Sequence, residues 1–365
     1  MERKINVGIL FGGKSAEHEV SLRSAKNVFD AIDRDKYNPI LIGIDKSGKW
    51  LLNACDPERF ALNGAAAVPA AVPAALLPQS EGRLLNLTNP QEERIIDVAF
   101  PILHGPFGED GTVQGLLKLA DIPFVGAGVL GSAVGMDKDV MKRLLRDGGV
   151  PIGAFLVLKS HEALPAFGAV VERLGLPFFV KPANMGSSVG VSKIHGEAEY
   201  RKALEAAFAY DRKIVLEEFI KGRELECSVL GNEEPAASVP GEVIASHEFY
   251  SYEAKYLDEQ GAVLEIPAKI AGEVVREIQE LAVKTFRVLE CEGLGRVDFF
   301  LREDGRVLVN EINTMPGFTN ISMYPKLWEA GGVSYTAVID KLIELAIRRH
   351  RQERALKTGY ERGLL

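Results

Sequence analysis

The sequence predicts a protein of mixed α/β and α+β class with a parallel-sheet domain at its N-terminus. An apolar run over 5–11 ends at two glycines, and apolar residues then recur at helical spacing over 21–32. Strand-then-helix units of this kind continue along much of the chain and are typical of parallel sheets. Residues 295–317 instead contain two apolar runs around Asp304-Gly305, which predicts an antiparallel hairpin.

The elements are predicted in the following order. Strands are expected over 5–11, 37–44, 97–103, 178–181 and 213–218, and helices over 21–32, 136–146 and 197–208. Residues 64–78, rich in alanine and proline, are predicted to form a surface insertion because repeated prolines interrupt any helix. We expect domains over 1–130, 131–226 and 227–365, the last ending in a basic helical tail.

The composition indicates a globular protein and disfavours several functional classes. The chain has 365 residues, 47% of them hydrophobic, so it can bury two or three cores. Its 43 basic and 51 acidic residues give a net charge of −8, which disfavours a general nucleic-acid-binding protein. Cys55, Cys227 and Cys291 are widely spaced and predict buried thiols rather than a disulfide framework. The sequence shows neither a membrane-length apolar run nor a signal sequence, so we expect a cytoplasmic protein.

The hairpin is predicted to bring four polar side chains together. A two-residue turn at Asp304-Gly305 pairs Asp298 with Glu311 and Arg296 with Asn313, and all four then share one face. Two carboxylates and an amide oxygen, without His or Cys, are ligands for a hard cation such as Mg²⁺. The alternative is an exposed hairpin with charges at its open end. The opposite face is predicted to carry Val297, Phe299, Leu301, Leu308 and Ile312, together with Asn310, which this register leaves unexplained.

Two candidate site residues follow strands of the N-terminal domain. The glycine loop that precedes Glu17 lacks a dinucleotide-binding fingerprint, so a Rossmann cofactor site is not expected there. At the carboxyl end of its strand, Glu17 either binds an ammonium group or begins a helix as a solvated residue. His104 ends another strand before a glycine-rich loop and has either a functional or a structural role.

Two segments of the middle of the chain are candidates for nucleotide binding. Residues 181–191 carry Lys181 and a glycine- and serine-rich loop whose backbone N–H groups can surround phosphate oxygens, although a hairpin loop of turn residues would look similar. Residues 215–224 end a strand in two acids and an apolar pair. Such a strand edge can bind an adenine through its backbone and ribose hydroxyls through a carboxylate.

In this order the motifs resemble those of the ATP-grasp superfamily, and longer segments are similar to the D-alanine:D-alanine ligase family. These segments are FGGKSAEHEVSL at 11–22, HGPFGEDG at 104–111, KPANMGSSVGVS at 181–192, FYSYEAKY at 249–256 and NEINTMPGFTNISMYP at 310–325. The resemblance covers the chain except the Ala/Pro stretch and the tail past about residue 350. It implies an ATP-grasp fold with an N-terminal Rossmann-like (pre-ATP-grasp) parallel-sheet domain and two ATP-grasp lobes.

The resemblance also implies an activity. ATP phosphorylates the carboxylate of one D-alanine, and the amine of a second D-alanine attacks the acyl phosphate, yielding a dipeptide for peptidoglycan precursor synthesis. The implied cofactors are ATP and one or two Mg²⁺ ions, or Mn²⁺. A D-alanine:D-lactate ligase and a non-catalytic nucleotide-binding protein are the alternatives. We further expect a homodimer with no nucleic-acid or membrane partner.

Site residues are implied by the same resemblance. ATP would be bound by Lys138 and Lys181 at the phosphates, by Glu217, Phe219 and Ile220 at the adenine and by Glu224 at the ribose, with Ser188 and Glu218 as further ATP-binding candidates. Asp298, Glu311 and Asn313 would hold the metal. The first D-alanine would contact Glu17 and His104, and the second Lys255, Ser322 and Met323. Arg296 and the Gly317 N–H would stabilise the oxyanion, while Ser187 and Tyr256 would hydrogen-bond with Glu17 as segments 184–190 and 245–260 close over the site.

Overall fold

The computed structural model describes residues 3–52, 71–245, 262–357 and 359, and these form three β-sheets with helices packed against them. The strands are β1 (Ile5–Gly12), β2 (Tyr37–Ile44), β3 (Trp50–Leu52), β4 (Val72–Leu76), β5 (Arg83–Asn86), β6 (Glu93–Ile95), β7 (Val98–Ile102), β8 (Phe155–Lys159), β9 (Phe178–Pro182), β10 (Ser192–Ile194), β11 (Lys213–Glu218), β12 (Gly222–Gly231), β13 (Ala236–Ala237), β14 (Gly241–Ala245), β15 (Ala262–Glu265), β16 (Gly293–Arg302) and β17 (Val307–Asn313). The helices are α1 (His18–Ala31), α2 (Thr112–Leu119), α3 (Val129–Met136), α4 (Lys138–Asp147), α5 (Phe167–Leu174), α6 (Glu197–Phe208), α7 (Gly272–Val288), α8 (Met323–Ala330) and α9 (Tyr335–Arg354).

The first sheet has the order β6-β5-β4-β3-β2-β1-β7. Strand β1 is apolar and mostly buried, and it pairs in parallel with β2 and β7 because α1 carries the chain back across the sheet. The predicted N-terminal parallel sheet is therefore confirmed. Strands β3 to β6 extend it on one side as an antiparallel meander, so the sheet as a whole is mixed.

The interpretation of residues 64–78 as a surface insertion is wrong for the end of that stretch. Strand β4 pairs with β3 and β5, and its Ala74 and Leu76 are buried in the same core as Leu84. Repeated prolines interrupt a helix, but proline is tolerated at some strand positions, so this composition does not exclude β4. The earlier part of the stretch lies outside the described residues.

The second sheet is a four-stranded antiparallel unit with its own core. Its order is β10-β9-β11-β8, and α5 and α6 cover it through buried residues such as Phe178, Leu204 and Leu216. Both strands of the β9–β10 pair are short, and the glycine- and serine-rich loop connects them. This arrangement places the loop at the edge of the second sheet.

The third sheet runs β15-β14-β12-β16-β17, with β13 pairing to β12, and it is antiparallel throughout. Its core contains Phe286 of α7 and Val297 of β16, and Met141 and Leu145 of α4 pack into the same core. A different core joins this sheet to the first one, because residues of β1 and β7 pack with α8 and α9. None of the described helices is both long and apolar enough to cross a bilayer.

The β16–β17 hairpin has the predicted register at its open end but not at its turn. Arg296 pairs with Asn313 and Asp298 with Glu311, as the sequence predicted. Nearer the turn, however, the Arg302 N–H donates to Arg306 O at 2.9 Å, so the loop has three residues instead of two. Gly305 adopts φ +84° in this loop, a conformation that glycine reaches without steric cost.

A bulge opposite the step from Asp298 to Phe299 takes up this offset of one residue. Asn310 is the extra residue, which explains a polar side chain in an apolar run. The bulge also changes which residues face the core. Phe299 pairs with Val309 and Leu301 with Val307, so the placement of Leu308 on the core face is wrong; Leu308 pairs with Phe300.

Candidate active site

Two adjoining cavities lie between the three sheets. The first has a volume of about 450 Å³ and the second about 280 Å³. The first is lined by the candidates for substrate binding and acyl transfer, namely Glu17, His104, Arg296, Gly317, Ser322 and Met323, and by the candidate metal ligand Asn313. The second is lined by the candidates for nucleotide binding, namely Lys181, Ser188, Glu217, Glu218, Phe219, Ile220 and Glu224. Both cavities are bordered by Lys138, Met185, Gly186, Ser187 and Glu311, so they meet at these residues.

Lys138 lies at the junction of the two cavities and contacts other residues there. Its ammonium lies 2.7 Å from Met185 O in the glycine- and serine-rich loop and 3.6 Å from Glu311 Oε2 on β17. Its backbone N–H donates to Ala183 O at 3.0 Å, so both ends of the residue contact the segment that follows β9. A cation at the first turn of α4 is thus fixed between the loop and a carboxylate of the hairpin.

The glycine- and serine-rich loop reaches the first sheet through a hydrogen bond. Ser187 Oγ donates to Glu17 Oε1, and both Ser187 and Ser188 adopt left-handed backbone conformations, with φ +51° and +60°. Such conformations are uncommon for residues other than glycine and recur at functional sites. A Cβ at Gly105 or Gly186 would lie 2.9 or 3.1 Å from Glu17 Oε2, so these glycines leave room for the carboxylate.

His104 supports the segment that precedes Gly317. Its Nδ1–H donates to Met315 O at 2.9 Å, and Ser24 Oγ, which accepts from the Phe318 N–H at 3.1 Å, lies 3.4 Å from Nε2. Burial lowers the pKa of His104, although the negative charge of Glu17 opposes that effect. The ring therefore lines the first cavity as a neutral group whose two nitrogens are both engaged by protein atoms.

Glu109 crosslinks two loops beneath the first cavity. Its carboxylate accepts from the Gly105 N–H at 2.6 Å and from the Met315 N–H at 3.2 Å. Burial and the nearby charge of Glu17 raise the pKa of Glu109 above the usual range of a carboxyl group. The glycine-rich loop after β7 and the segment after β17 are thereby held at a fixed separation.

Gly317 and Ser322 approach closely at one wall of the first cavity. A Cβ at position 317 would lie 2.8 Å from Ser322 Oγ, so only glycine fits without displacing that side chain. Ser322 is the N-cap residue of α8, and its Oγ accepts from the Thr319 N–H at 2.9 Å. Met323 begins the helix, so the wall presents a helix N-terminus, which favours an anionic group.

Arg296 lies between two carboxylates of the third sheet. It donates from Nε and Nη2 to the two oxygens of Asp298, both at 2.7 Å, and its Nε lies 2.9 Å from Glu226 Oε2. Glu226, Asp298 and Glu311 occupy directly paired positions on β12, β16 and β17. Three acids therefore form a row across the sheet, and Arg296 and Lys138 supply the positive charge that keeps them together.

The donor set at the hairpin fits a divalent cation. The register puts Asp298, Glu311 and Asn313 on one face, and two carboxylates with an amide oxygen are the ligands such an ion prefers. In the described part of the chain, no three His, Cys, Asp or Glu residues are grouped as metal ligands, so the amide is a necessary member of this set. Because Arg296 holds both oxygens of Asp298, a cation at this position shares that carboxylate with the guanidinium.

A buried ion triad forms one wall of the second cavity. Glu217 Oε2 lies 2.7 Å from Lys181 Nζ, and Glu217 Oε1 lies 3.2 Å from Lys142 Nζ. Although burial by itself would raise the pKa of Glu217, the two ammonium groups lower it to about 2. The Glu217 carboxylate is therefore charged and engaged by the two lysines, and the implied place of Glu217 at the adenine edge remains a prediction.

The neighbouring residues form the rest of this wall. Glu218 Oε1 accepts from the Ala154 N–H at 2.7 Å, and the half-exposed Phe219 ring lies 6.1 Å from the ring of Phe179 and 4.2 Å below the Lys193 ammonium. Ile220 and Glu224 also line the cavity. An apolar pair followed by a carboxylate is a suitable wall for a base and its ribose.

Part of the expected site lies outside the described residues. Lys255, Tyr256 and nearly all of the segment 245–260 belong to this part, so the closure of that segment and the Tyr256 hydrogen bond remain predictions. The expected contact between Ser187 and Glu17 is present.

Among the lining residues that the sequence did not single out are three charged ones, Lys142, Glu226 and Glu109. Two of these residues could have been identified from the spacing of the sequence. Lys142 follows Lys138 by four residues on a helix, and Glu226 follows Glu224 by two residues on a strand, so each shares a face with a chosen residue. Glu109 could not have been identified from spacing, because its contact with Met315 joins loops that are distant in sequence.

The chain is similar to known proteins over nearly its whole length. A model of the D-ala D-ala ligase N-terminus matches residues 6–127, and a model of the D-ala D-ala ligase C-terminus matches residues 144–344. The chain is 54% identical to D-alanine–D-alanine ligase A of Chromobacterium violaceum, covering 97% of this chain and 98% of that one. Among solved structures, it is similar to the D-alanine-D-alanine ligase from Coxiella burnetii, with a TM-score of 0.86 and 39% identity over 96% of this chain and 98% of that one. It is also similar to a D-Ala:D-Ser ligase from Enterococcus faecalis, with a TM-score of 0.85 and 36% identity over 94% of this chain and 100% of that one.

Proposed function

The chain belongs to the D-alanine–D-alanine ligase family of ATP-dependent ligases, and on this basis we propose that it joins two D-alanines into D-alanyl-D-alanine through an acyl phosphate. The observation that carries the proposal is the junction of the two cavities at Lys138 and Glu311. A nucleotide in the second cavity would direct its terminal phosphate toward this junction. A carboxylate in the first cavity would meet it there.

The second cavity supplies charge for the nucleotide. Lys138 and Lys181 would bind the phosphates together with the backbone of the loop at Ser187 and Ser188, and Phe219, Ile220 and Glu224 would contact the adenine and ribose. Asp298, Glu311 and Asn313 would hold Mg²⁺, as one or two ions, with Mn²⁺ as a substitute. A cation bound there neutralises the charge on the phosphates during transfer.

The first cavity supplies sites for two amino acids. Glu17 would hold the ammonium of the first D-alanine, and the helix N-terminus at Ser322 and Met323 would hold the carboxylate of the second. Arg296 and the Gly317 N–H would stabilise the oxyanion of the tetrahedral intermediate, where one such donor is typically worth about 3 kcal/mol. The hydrogen bond between Ser187 and Glu17 closes the loop over this region, which excludes water that would hydrolyse an acyl phosphate.

The reaction product tests the proposal. The purified protein is incubated with ATP, Mg²⁺ and equal concentrations of D-alanine, D-serine and D-lactate, and both phosphate release and product mass are measured. We expect D-alanyl-D-alanine as the main product at neutral pH. A depsipeptide or a D-alanyl-D-serine product would contradict the proposed second substrate, and no phosphate release with D-alanine would contradict the reaction itself.

We also propose a cellular context. The dipeptide would enter peptidoglycan precursor synthesis in the cytoplasm, and the active form would be a homodimer without nucleic-acid or membrane partners. Sedimentation at micromolar concentration distinguishes a dimer from a monomer.

A further inference from the structure

Lys142 is a buried cation that the proposed reaction leaves without a role. Its side chain is 3% exposed, and its ammonium lies 3.2 Å from Glu217 Oε1 and 3.5 Å from Asn310 O, the carbonyl of the bulge residue. Lysine is among the residues least often buried, because removing its charge from water is costly. A buried lysine in a cavity wall therefore needs an explanation.

Within the triad of Lys142, Lys181 and Glu217, positive charge exceeds negative charge. The two lysines share the Glu217 carboxylate, so these three side chains carry a net charge of +1 beside the second cavity, and the negative charges of Glu311 and Glu224 also act on Lys181. Lys181 alone would have been sufficient to neutralise Glu217. If Lys142 were absent, Lys181 and Glu217 would form a neutral pair.

We propose that Lys142 is a positioning residue for nucleotide binding: it neutralises Glu217, so that the positive charge of Lys181 remains available to the phosphates. This inference rests on the proposed function, which places the phosphates beside Lys181. Lys142 lies one helical turn after Lys138 on α4, so a single helix directs one ammonium to the loop and the hairpin and another to Glu217. The excess charge is thereby built into the fold before the nucleotide arrives.

A purely structural role makes a different prediction. If Lys142 only satisfied a buried carboxylate, its loss would disturb the wall of the cavity and weaken every nucleoside ligand alike. If the role of Lys142 is electrostatic, its loss would lower the affinity for a ligand in proportion to the number of phosphate groups that the ligand carries. The two roles therefore separate when ligands of different charge are compared.

The first measurement compares the affinities of adenosine, ADP and ATP for the unmodified protein and for Lys142→Met, by calorimetry with Mg²⁺ present. We expect the Kd of ADP and of ATP to rise about tenfold or more, since a unit charge at short range in a protein has an effect of this size. The Kd of adenosine should change less than about twofold. Arg143→Met is the matched control, because Arg143 is the next residue of α4 and its exposed side chain pairs only with Asp139 among the contacts described; it should leave all three affinities unchanged.

The second measurement removes the charge that Lys142 neutralises. In the double variant Lys142→Met/Glu217→Gln, Lys181 no longer has a carboxylate partner in the triad, so the net charge returns to +1. We expect its affinities for ADP and ATP to return to within about threefold of the unmodified protein. If Lys142→Met does not fold, Lys142→Gln, which keeps a hydrogen-bond donor without the charge, makes the same comparison.

The possible results separate this inference from the proposed function. Equal weakening of adenosine and ATP, unchanged ATP affinity in Lys142→Met, or no recovery in the double variant would each overturn the role of Lys142. Failure of the unmodified protein to bind ADP or ATP would instead overturn the proposed function.

Discussion

At the scale of single residues, three acids of the candidate site are held by positively charged side chains of the protein. Glu311 faces Lys138, Asp298 is bound by Arg296, and Glu217 is held by two lysines. These pairs stabilise a high density of charge in a partly buried region, where a carboxylate without a partner is costly. Substitution of one of these acids should therefore affect both ligand binding and the lysine or arginine side chain that the acid contacts.

Glu311→Gln should lower turnover by about 100-fold or more while leaving the fold intact. The amide has nearly the same shape as the carboxylate but lacks the charge that attracts a divalent cation and Lys138. Phosphate release and direct Mn²⁺ binding measure the two effects. Asp304→Asn, at the exposed turn of the same hairpin, is the control and should alter neither. Normal activity of folded Glu311→Gln at limiting Mg²⁺ would exclude Glu311 as a ligand.

Glu217 should contribute stability that depends on pH. Its pKa is lowered in the folded protein to about 2, whereas an unfolded glutamate titrates near 4.5, so the folded state is favoured above the unfolded pKa and loses this contribution as the pH falls toward 2. The free energy of unfolding should therefore decrease between about pH 5 and pH 2 more steeply in the unmodified protein than in Glu217→Gln. Denaturant titrations at several pH values measure this difference. Parallel pH profiles would show that Glu217 is not held as a buried anion.

At the scale of elements, α4 is the helix on which the proposed nucleotide site depends, because it carries both Lys138 and Lys142. Its start is fixed by Asp137, whose side chain accepts from the Asp139 and Val140 N–H groups and pairs with the Lys213 ammonium on β11. The cap and the ion pair together connect the helix to the second sheet. Helix α4 itself packs against the core of the third sheet, so it spans the two.

Asp137→Ala should lower the free energy of unfolding by about 1–2 kcal/mol, because it removes an N-cap acceptor and leaves Lys213 with one acid fewer. Asp137→Asn keeps the cap and should cost less than half as much. Chemical denaturation measures both variants. Equal losses in the two would mean that the ion pair with Lys213, and not the cap, holds the start of α4.

At the scale of the whole molecule, the first and third sheets are joined by a common core, while the second sheet has a separate one. Helix α9 adds hydrogen bonds and an ion pair where the first and third sheets meet. Arg349 donates to Gly126 O at 2.7 Å and to Phe124 O at 2.9 Å, and it pairs with Glu292 at 3.3 Å. Helix α9 is thus hydrogen-bonded to the segment that contains Phe124 and Gly126.

Arg349→Met should lower the free energy of unfolding by about 2–4 kcal/mol, because two buried carbonyls and a partly buried carboxylate lose their partner. Arg348→Met is the control: that side chain is exposed and pairs with Glu233, so it should cost less than about 1 kcal/mol. The two tryptophans, Trp50 and Trp328, lie in the first sheet and in α8, so their fluorescence follows this part of the molecule. Similar losses in the two variants would contradict the role of Arg349.

Much of the fold was predictable because its signals are local. The strand boundaries 37–44 and 213–218 and the helix 197–208 follow from periodicity within the segment itself, and the structure confirms them at those residues. Errors arose where one segment depends on another. The composition of the Ala/Pro stretch predicts an irregular segment. Its end nevertheless forms β4, because β3 and β5 pair with it on both sides.

The chemical groups of the candidate site were determined by the sequence itself. The order of the motifs identified the family, and the alternation of side chains along a strand placed Asp298, Glu311 and Asn313 on one face. That register was correct at the open end because two deviations cancel. The loop has three residues instead of two, and the bulge at Asn310 adds one residue to β17.

The tertiary structure alone decided which charges face each other. The contacts of Glu217 with Lys142, of Glu109 with Met315 and of Arg296 with Glu226 join residues on different elements. Only packing sets these distances, because periodicity fixes the direction of a side chain within its own helix or strand but not the position of that element relative to another. The sequence thus determined which groups are present and which face of an element each occupies, whereas the packing of the three sheets decided that these groups line two cavities that meet at one junction.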